Sequence, residues 1–169
     1  MKKTSRIVMI TVIFLFIATA GLWLLNGGGI ATEDTGAVIV FKEDGEAVAE
    51  ADMEYITGLA GETFKAVTRS DGQKPVEAEY KGVLLKDLLG DMGIGLDGKT
   101  QVTVSGADGY MWAIALSELD ERDVYIAYEM NGKPLKSKIK NGSGPFQLII
   151  PDDRFSQRWC KYVCEVEVK

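Results

Sequence analysis

Gly82-Val83-Leu84-Leu85-Lys86-Asp87-Leu88-Leu89 is the stretch on which the fold turns. Leu84, Leu85, Leu88, Leu89 and Met92 recur at helical spacing, and Gly93 follows where a helix would stop. Such a leucine stripe is core packing. Upstream, Phe64-Lys65-Ala66-Val67-Thr68 and Val76 to Tyr80 read as strands. Ser70-Asp71-Gly72 ends the first, so the pair forms a candidate hairpin.

Further out, Ala37-Val38-Ile39-Val40-Phe41 reads as a first strand and Asp44-Gly45 as a turn. Met53, Ile56 and Leu59 at threefold spacing suggest a short helix from Ala51 to Leu59. Downstream, Val102 to Val104, Met111 to Ala115, Val124 to Met130 and Phe146 to Ile150 read as strands, and Ser117 as the cap of one helical turn. Asn131-Gly132 is a turn. A last strand from Cys160 to Val168 puts Cys160, Tyr162, Cys164, Val166 and Val168 on one face. Tyr125 and Tyr128, three apart on a strand, are expected to face opposite ways, one toward the core and one toward surface or cleft. Many short strands without regular βα alternation predict an α+β domain with a mixed sheet and short helices.

The net charge is −6, and the acidic excess lies behind the N-terminal segment. This argues against non-specific nucleic-acid binding, which needs a basic face. The chain has no histidine, which excludes His-based triads and His-ligated zinc or haem.

Lys2, Lys3 and Arg6 precede an uncharged run from Ile7 to Leu25, about 28 Å long as a helix and close to a bilayer core. We therefore expect residues 1–25 to form a transmembrane signal anchor and 26–35 a flexible tether. Residues 36–169 would be a domain on the extracytoplasmic side of the cell membrane. Ala18-Thr19-Ala20 offers the alternative of a cleaved signal peptide and secretion.

The motifs Tyr80-x-Gly82-Val83-x-Leu85-x-x-Leu88-Leu89, Ser105-x-Ala107-Asp108-Gly109-Tyr110 and Ala127 to Leu135 together resemble the sulfite-oxidase-type molybdopterin-binding domain family. So do Gly144-Pro145, Ile149-Ile150-Pro151 and Arg158-x-x-Lys161-Tyr162-Val163. The resemblance covers roughly Met53 to Lys169. It implies a sulfite-oxidase-like molybdopterin-binding fold and, in active members, a molybdenum–pterin cofactor. There, one Cys thiolate upstream of the Gly-Val-x-Leu helix ligates the metal, and His and Arg around the Gly-Pro motif hold the pterin. In this chain Phe64 to Glu79 has no cysteine, and Asn141 and Gln147 flank Gly144-Pro145.

The expectation is therefore a membrane-anchored domain without the metal-ligating Cys, acting as a binding module for a small anionic ligand. The resemblance places Asp108, Gly109, Tyr110, Arg158 and Lys161 at that site, and no catalytic or metal-binding residue is assigned. Bland readings stand beside it: Asp108-Gly109-Tyr110 as a turn, and Arg158 as a strand-end partner of Asp152, Asp153 or Glu165. The functional alternatives are an active molybdopterin-dependent oxidoreductase and a partner-binding structural domain without ligand. Cys160 and Cys164 stand about 13 Å apart on a regular strand, too far for a disulfide. Either the chain bulges and they pair, or both are buried free thiols.

Overall fold

A computed structural model describes residues 37–69, 72 and 74–169. Among these residues ten strands occur in chain order: β1 (Val38–Glu43), β2 (Glu46–Asp52), β3 (Glu62–Thr68), β4 (Val76–Leu84), β5 (Gln101–Gly106), β6 (Met111–Ala115), β7 (Tyr125–Met130), β8 (Lys133–Pro134), β9 (Gln147–Ile149) and β10 (Val163–Val168). Three short α-helices join them among the described residues: α1 (Met53–Gly58), α2 (Leu85–Asp91) and α3 (Leu116–Glu121).

The strands form two five-stranded sheets. One has the order β2-β1-β10-β5-β6; the other runs β3-β4-β7-β8, with β9 also paired to β7. The closing strand β10 lies in the middle of the first sheet, parallel to β1 and antiparallel to β5. Val40 stands beside Glu165, and Lys42 reaches the Glu165 carboxylate at 2.6 Å.

One continuous core joins the two sheets. Ile39, Phe41, Val104 and Val166 enter it from the first sheet, and Val83, Ile126 and Leu148 from the second. Leu85, Leu88 and Leu89 of α2 are fully buried, the i, i+3, i+4 pattern turning one face inward. Each such leucine contributes about 1.5–3 kcal/mol of burial.

The β3–β4 hairpin forms as expected, pairing Phe64 with Tyr80 and Thr68 with Val76. β4 runs on to Leu84, so Gly82 and Val83 belong to a strand and the helix starts one residue later. Glycine is required at 82: a Cβ there would lie 2.6 Å from the Ile126 carbonyl oxygen across the β4–β7 seam.

Several expectations are corrected. Residues 46–52, whose last two positions were read as helix, form β2. The turn before it holds Asp44 and Gly45 at φ 47° and 94°. The helix begins only at Met53, where the Asp52 carboxylate accepts from the Tyr55 amide at 2.8 Å. Ser117 is not a cap: α3 starts at Leu116, and Ala115 in the cap position offers no side-chain bond. Tyr125 and Tyr128 are both buried, so neither ring lies at the open surface, and Tyr128 lines a cleft. The last strand is shorter than expected. It starts at Val163, after Tyr162 turns to φ 56°, and its register shifts between Val163 and Glu165; Cys160 and Val163 are buried while Tyr162 and Cys164 are only partly covered.

The membrane-anchored, extracytoplasmic placement is likewise withdrawn as a reading of the structure. Among the described residues no helix is long and apolar enough to cross a membrane. The expected span at 1–25 and tether at 26–35 lie outside the described residues.

Candidate functional site

The loop between β5 and β6 meets the segment 157–162 that leads into β10. Asp108 Oδ1 accepts from the Tyr110 amide at 3.1 Å, and Gly109 adopts φ 86°. This is the turn that the bland reading expected, with aspartate starting it and glycine supplying the left-handed residue. The Tyr110 hydroxyl donates to the Gln157 carbonyl, and the Ala107 amide donates to the Tyr162 carbonyl at 2.9 Å. Gly106 lies beneath. A Cβ there would collide with the Lys161 carbonyl oxygen and stand 3.2 Å from Cys160 Sγ.

These contacts close over Cys160. Its thiol is fully buried, with the Tyr110 carbonyl 3.7 Å and the Lys161 carbonyl 3.6 Å from Sγ as acceptors for its one proton. Burial, with the Asp108 charge adding to it, pushes its pKa up to about 12. Cys164 is half-buried and donates to the Ser105 carbonyl at 3.6 Å; burial raises its pKa too. Both cysteines are free thiols, although the strand does bulge beside them.

Arg158 lies close in sequence but its side chain is engaged elsewhere. Nε donates to Asp153 Oδ2 at 2.9 Å, Nη2 donates to Asp153 Oδ1, and Nη2 also reaches Glu118 at 2.7 Å. Arg122 joins the same Asp153 oxygen at 2.9 Å. The hydrogen bond from Arg158 holds the Glu118 carboxyl below its ordinary range, and Asp153 raises the Arg158 pKa in turn. Asp153 is the partner that the strand-end reading named, although it is buried rather than solvated. Lys161 is exposed, and Arg154 lies over the Phe155 ring. Asp108, Gly109, Tyr110 and the backbone of Lys161 thus come together, while the Arg158 guanidinium joins an ionic cluster with Asp153, Glu118 and Arg122.

The sequence reading missed the β7–β9 connection. Lys133, Lys136, Lys138 and Lys140 are exposed there, with Ile139 at the surface and 66% exposed. No acidic residue occurs from Met130 to Pro151 in an otherwise acidic chain. The charge run was visible, and only its surface placement was not. Beside it a cleft of about 480 Å³ is lined by Met53, Thr57, Tyr128, Leu135, Lys136 and Pro145, among others.

Two sheets sharing one core, with β10 inserted between β1 and β5, make a mixed α+β domain. The chain belongs to the family described as the oxidoreductase molybdopterin binding domain, whose profile matches residues 58–169. Among solved structures it resembles the sulfane dehydrogenase SoxCD from Paracoccus pantotrophus, with a TM-score of 0.67 at 18% identity. The match covers 83% of this chain and 40% of that one, so this chain spans less than half of its relative's length. No curated protein matches.

The residues present do not fit the family's metal–pterin group. A molybdenum centre takes a soft thiolate. The only two sulfhydryls are both turned onto backbone carbonyls, and the strand pair upstream of α2 supplies none. Among the described residues no cluster of three or more Cys, Asp or Glu side chains is placed to hold a metal. The membrane anchoring of the expected module is corrected, since among the described residues no helix is long and apolar enough to cross a membrane. Arg158, expected at its anion site, is engaged by Asp153 and Glu118.

Proposed function

We propose that this chain is a non-catalytic member of its family, a partner-binding domain that keeps the fold and dispenses with the metal–pterin group. The observation that carries the reading is the closed state of Cys160, whose thiol is buried under the Asp108–Tyr110 turn with two backbone carbonyls as acceptors for its one proton. A thiol held protonated in this way is a poor metal ligand. The basic stretch from Lys133 to Lys140 supports the partner-binding half: exposed lysines around an exposed Ile139 suit an acidic protein surface with an apolar socket.

Native mass spectrometry of the full chain purified from its own cells tests this. The expected mass is that of the polypeptide alone. A stable additional mass of pterin size, removed only by unfolding, would overturn the reading.

A further inference from the structure

Sheet edges expose unpaired amide groups, and proteins blunt them with charge, proline, bulges or covering segments. β2 carries Glu46, Glu50 and Asp52 and faces a register shift at Phe41/Lys42. β3 carries Glu62 and Lys65, and just beyond its end the Arg69 carbonyl accepts from the Ser156 amide. β8 consists of Lys133 and Pro134. The outer side of β9 is occupied, because the Leu148 amide donates to the Cys160 carbonyl at 2.8 Å. β6, Met111-Trp112-Ala113-Ile114-Ala115, has none of these protections: no charge, no proline, and an unbroken register with β5.

Its amide orientation follows from its neighbours. The Gly106 amide donates to the Tyr110 carbonyl at 2.8 Å, and the Leu116 amide to the Thr100 carbonyl at 2.9 Å. Antiparallel ladders alternate between bonded and non-bonded pairs. The bonded pairs are therefore Val104 with Trp112 and Val102 with Ile114. Met111, Ala113 and Ala115 then direct N–H and C=O away from the sheet, and no backbone bond among the described residues reaches them. Their side chains are exposed, Met111 to 62%.

We propose that β6 is a docking edge for a second copy of this chain, joining the two five-stranded sheets antiparallel about Ala113. In that register Ala113 faces Ala113 of the second copy, and Met111 faces its Ala115. All outward amides meet as bonded pairs. On the exposed face each methionine lies over an alanine, so no bulky pair collides. On the core side Ile114 is fully buried within its own chain and half-buried Trp112 lies at the margin, so the side-chain contact is made on the exposed face. The strand is thus self-complementary, as a twofold interface requires. A foreign strand would gain the same backbone bonds but not this matched sequence of large and small side chains.

The pairing goes beyond the partner-binding reading and does not need the basic stretch. A metal-free monomer would overturn the pairing and leave that reading intact, whereas a pterin-loaded dimer would do the reverse.

Light scattering and sedimentation of the full chain across a dilution series test it. The wild type is expected at twice the chain mass, falling to the chain mass on dilution. Ala113→Pro and Ala113→Lys should each give the chain mass throughout. Proline is tolerable there because the Ala113 amide makes no bond to β5. A wild type at the chain mass at every concentration, or a dimer that both variants leave intact, overturns the proposal. Hydrogen exchange of the wild type decides the matter even if the variants fold poorly. Concentration-dependent protection at Met111, Ala113 and Ala115 supports the pairing, and fast exchange there at all concentrations overturns it.

Discussion

Arg158 grips the buried carboxylate of Asp153 with both Nε and Nη2, and the same Nη2 reaches Glu118. A planar fork on a carboxylate is the strong form of this contact. It ties the 3-10 turn at Ser156–Arg158 to α3 and so fixes the segment leading to Cys160.

Replacing Arg158 with Met leaves Asp153 buried with Arg122 as its remaining partner. Removing one partner of a buried pair costs about 3–5 kcal/mol when nothing remains. With Arg122 still present, the expected loss is about 2 kcal/mol. Urea denaturation of wild type and variant measures it, and a loss near zero would show that the cluster is ornamental.

The same cluster predicts an acid-labile fold. The folded-state pKa of Glu118 lies below its ordinary value of 4.5, chiefly because Arg158 donates to it. Its contribution is therefore full above that ordinary value and is lost as pH falls through the lower folded value. Glu118→Gln should lower stability at neutral pH, where that contribution is full, and flatten the acid limb so that the two stability-versus-pH curves converge at low pH. Parallel curves for the two proteins would contradict this.

Gly106→Ala should open the lid over Cys160. The new methyl collides with the Lys161 carbonyl and presses on Sγ, so the turn must shift. Overpacking of this kind costs about 1–3 kcal/mol. Thermal unfolding reads the cost, and faster alkylation of Cys160 reads the opening.

In the native wild type, Cys160 should resist a thiol reagent at neutral pH, Cys164 should react slowly, and denaturant should release both. Burial raises both pKa values, that of Cys160 to about 12. The raised Cys160 value contributes stability that is intact below the free-thiol pKa of 9.0 and lost as pH rises toward the folded value. Peptide mapping after timed alkylation separates the two sites. Rapid labelling of Cys160 in the folded chain would remove the basis for calling it closed.

Local features were legible in the sequence. The β3–β4 hairpin, the buried face of Leu85, Leu88 and Leu89, and the turns at Asp44-Gly45 and Asp108-Gly109 each depend on neighbours a few residues away. β2 escaped notice because Glu46-Ala47-Val48-Ala49-Glu50-Ala51-Asp52 is rich in residues that disfavour strands. Only its pairing to β1 makes it one. The partners of Arg158 come from α3 and the β9–β10 connection, and the parallel pairing of β10 with β1 spans nearly the whole domain. Periodicity carries no record of such contacts. Cys160 lies before β10, separated from it by Tyr162 at φ 56°, and the register shifts again between Val163 and Glu165, so the two cysteines do not share the face that strict alternation gives them.

The account rests on both sulfurs being closed to metal, and elemental analysis of the full chain, isolated from its own cells grown with ample molybdate, tests that most directly. The prediction is no molybdenum above the buffer background. Molybdenum in one-to-one ratio with protein, lost on Cys160→Ser or Cys164→Ser, would contradict it.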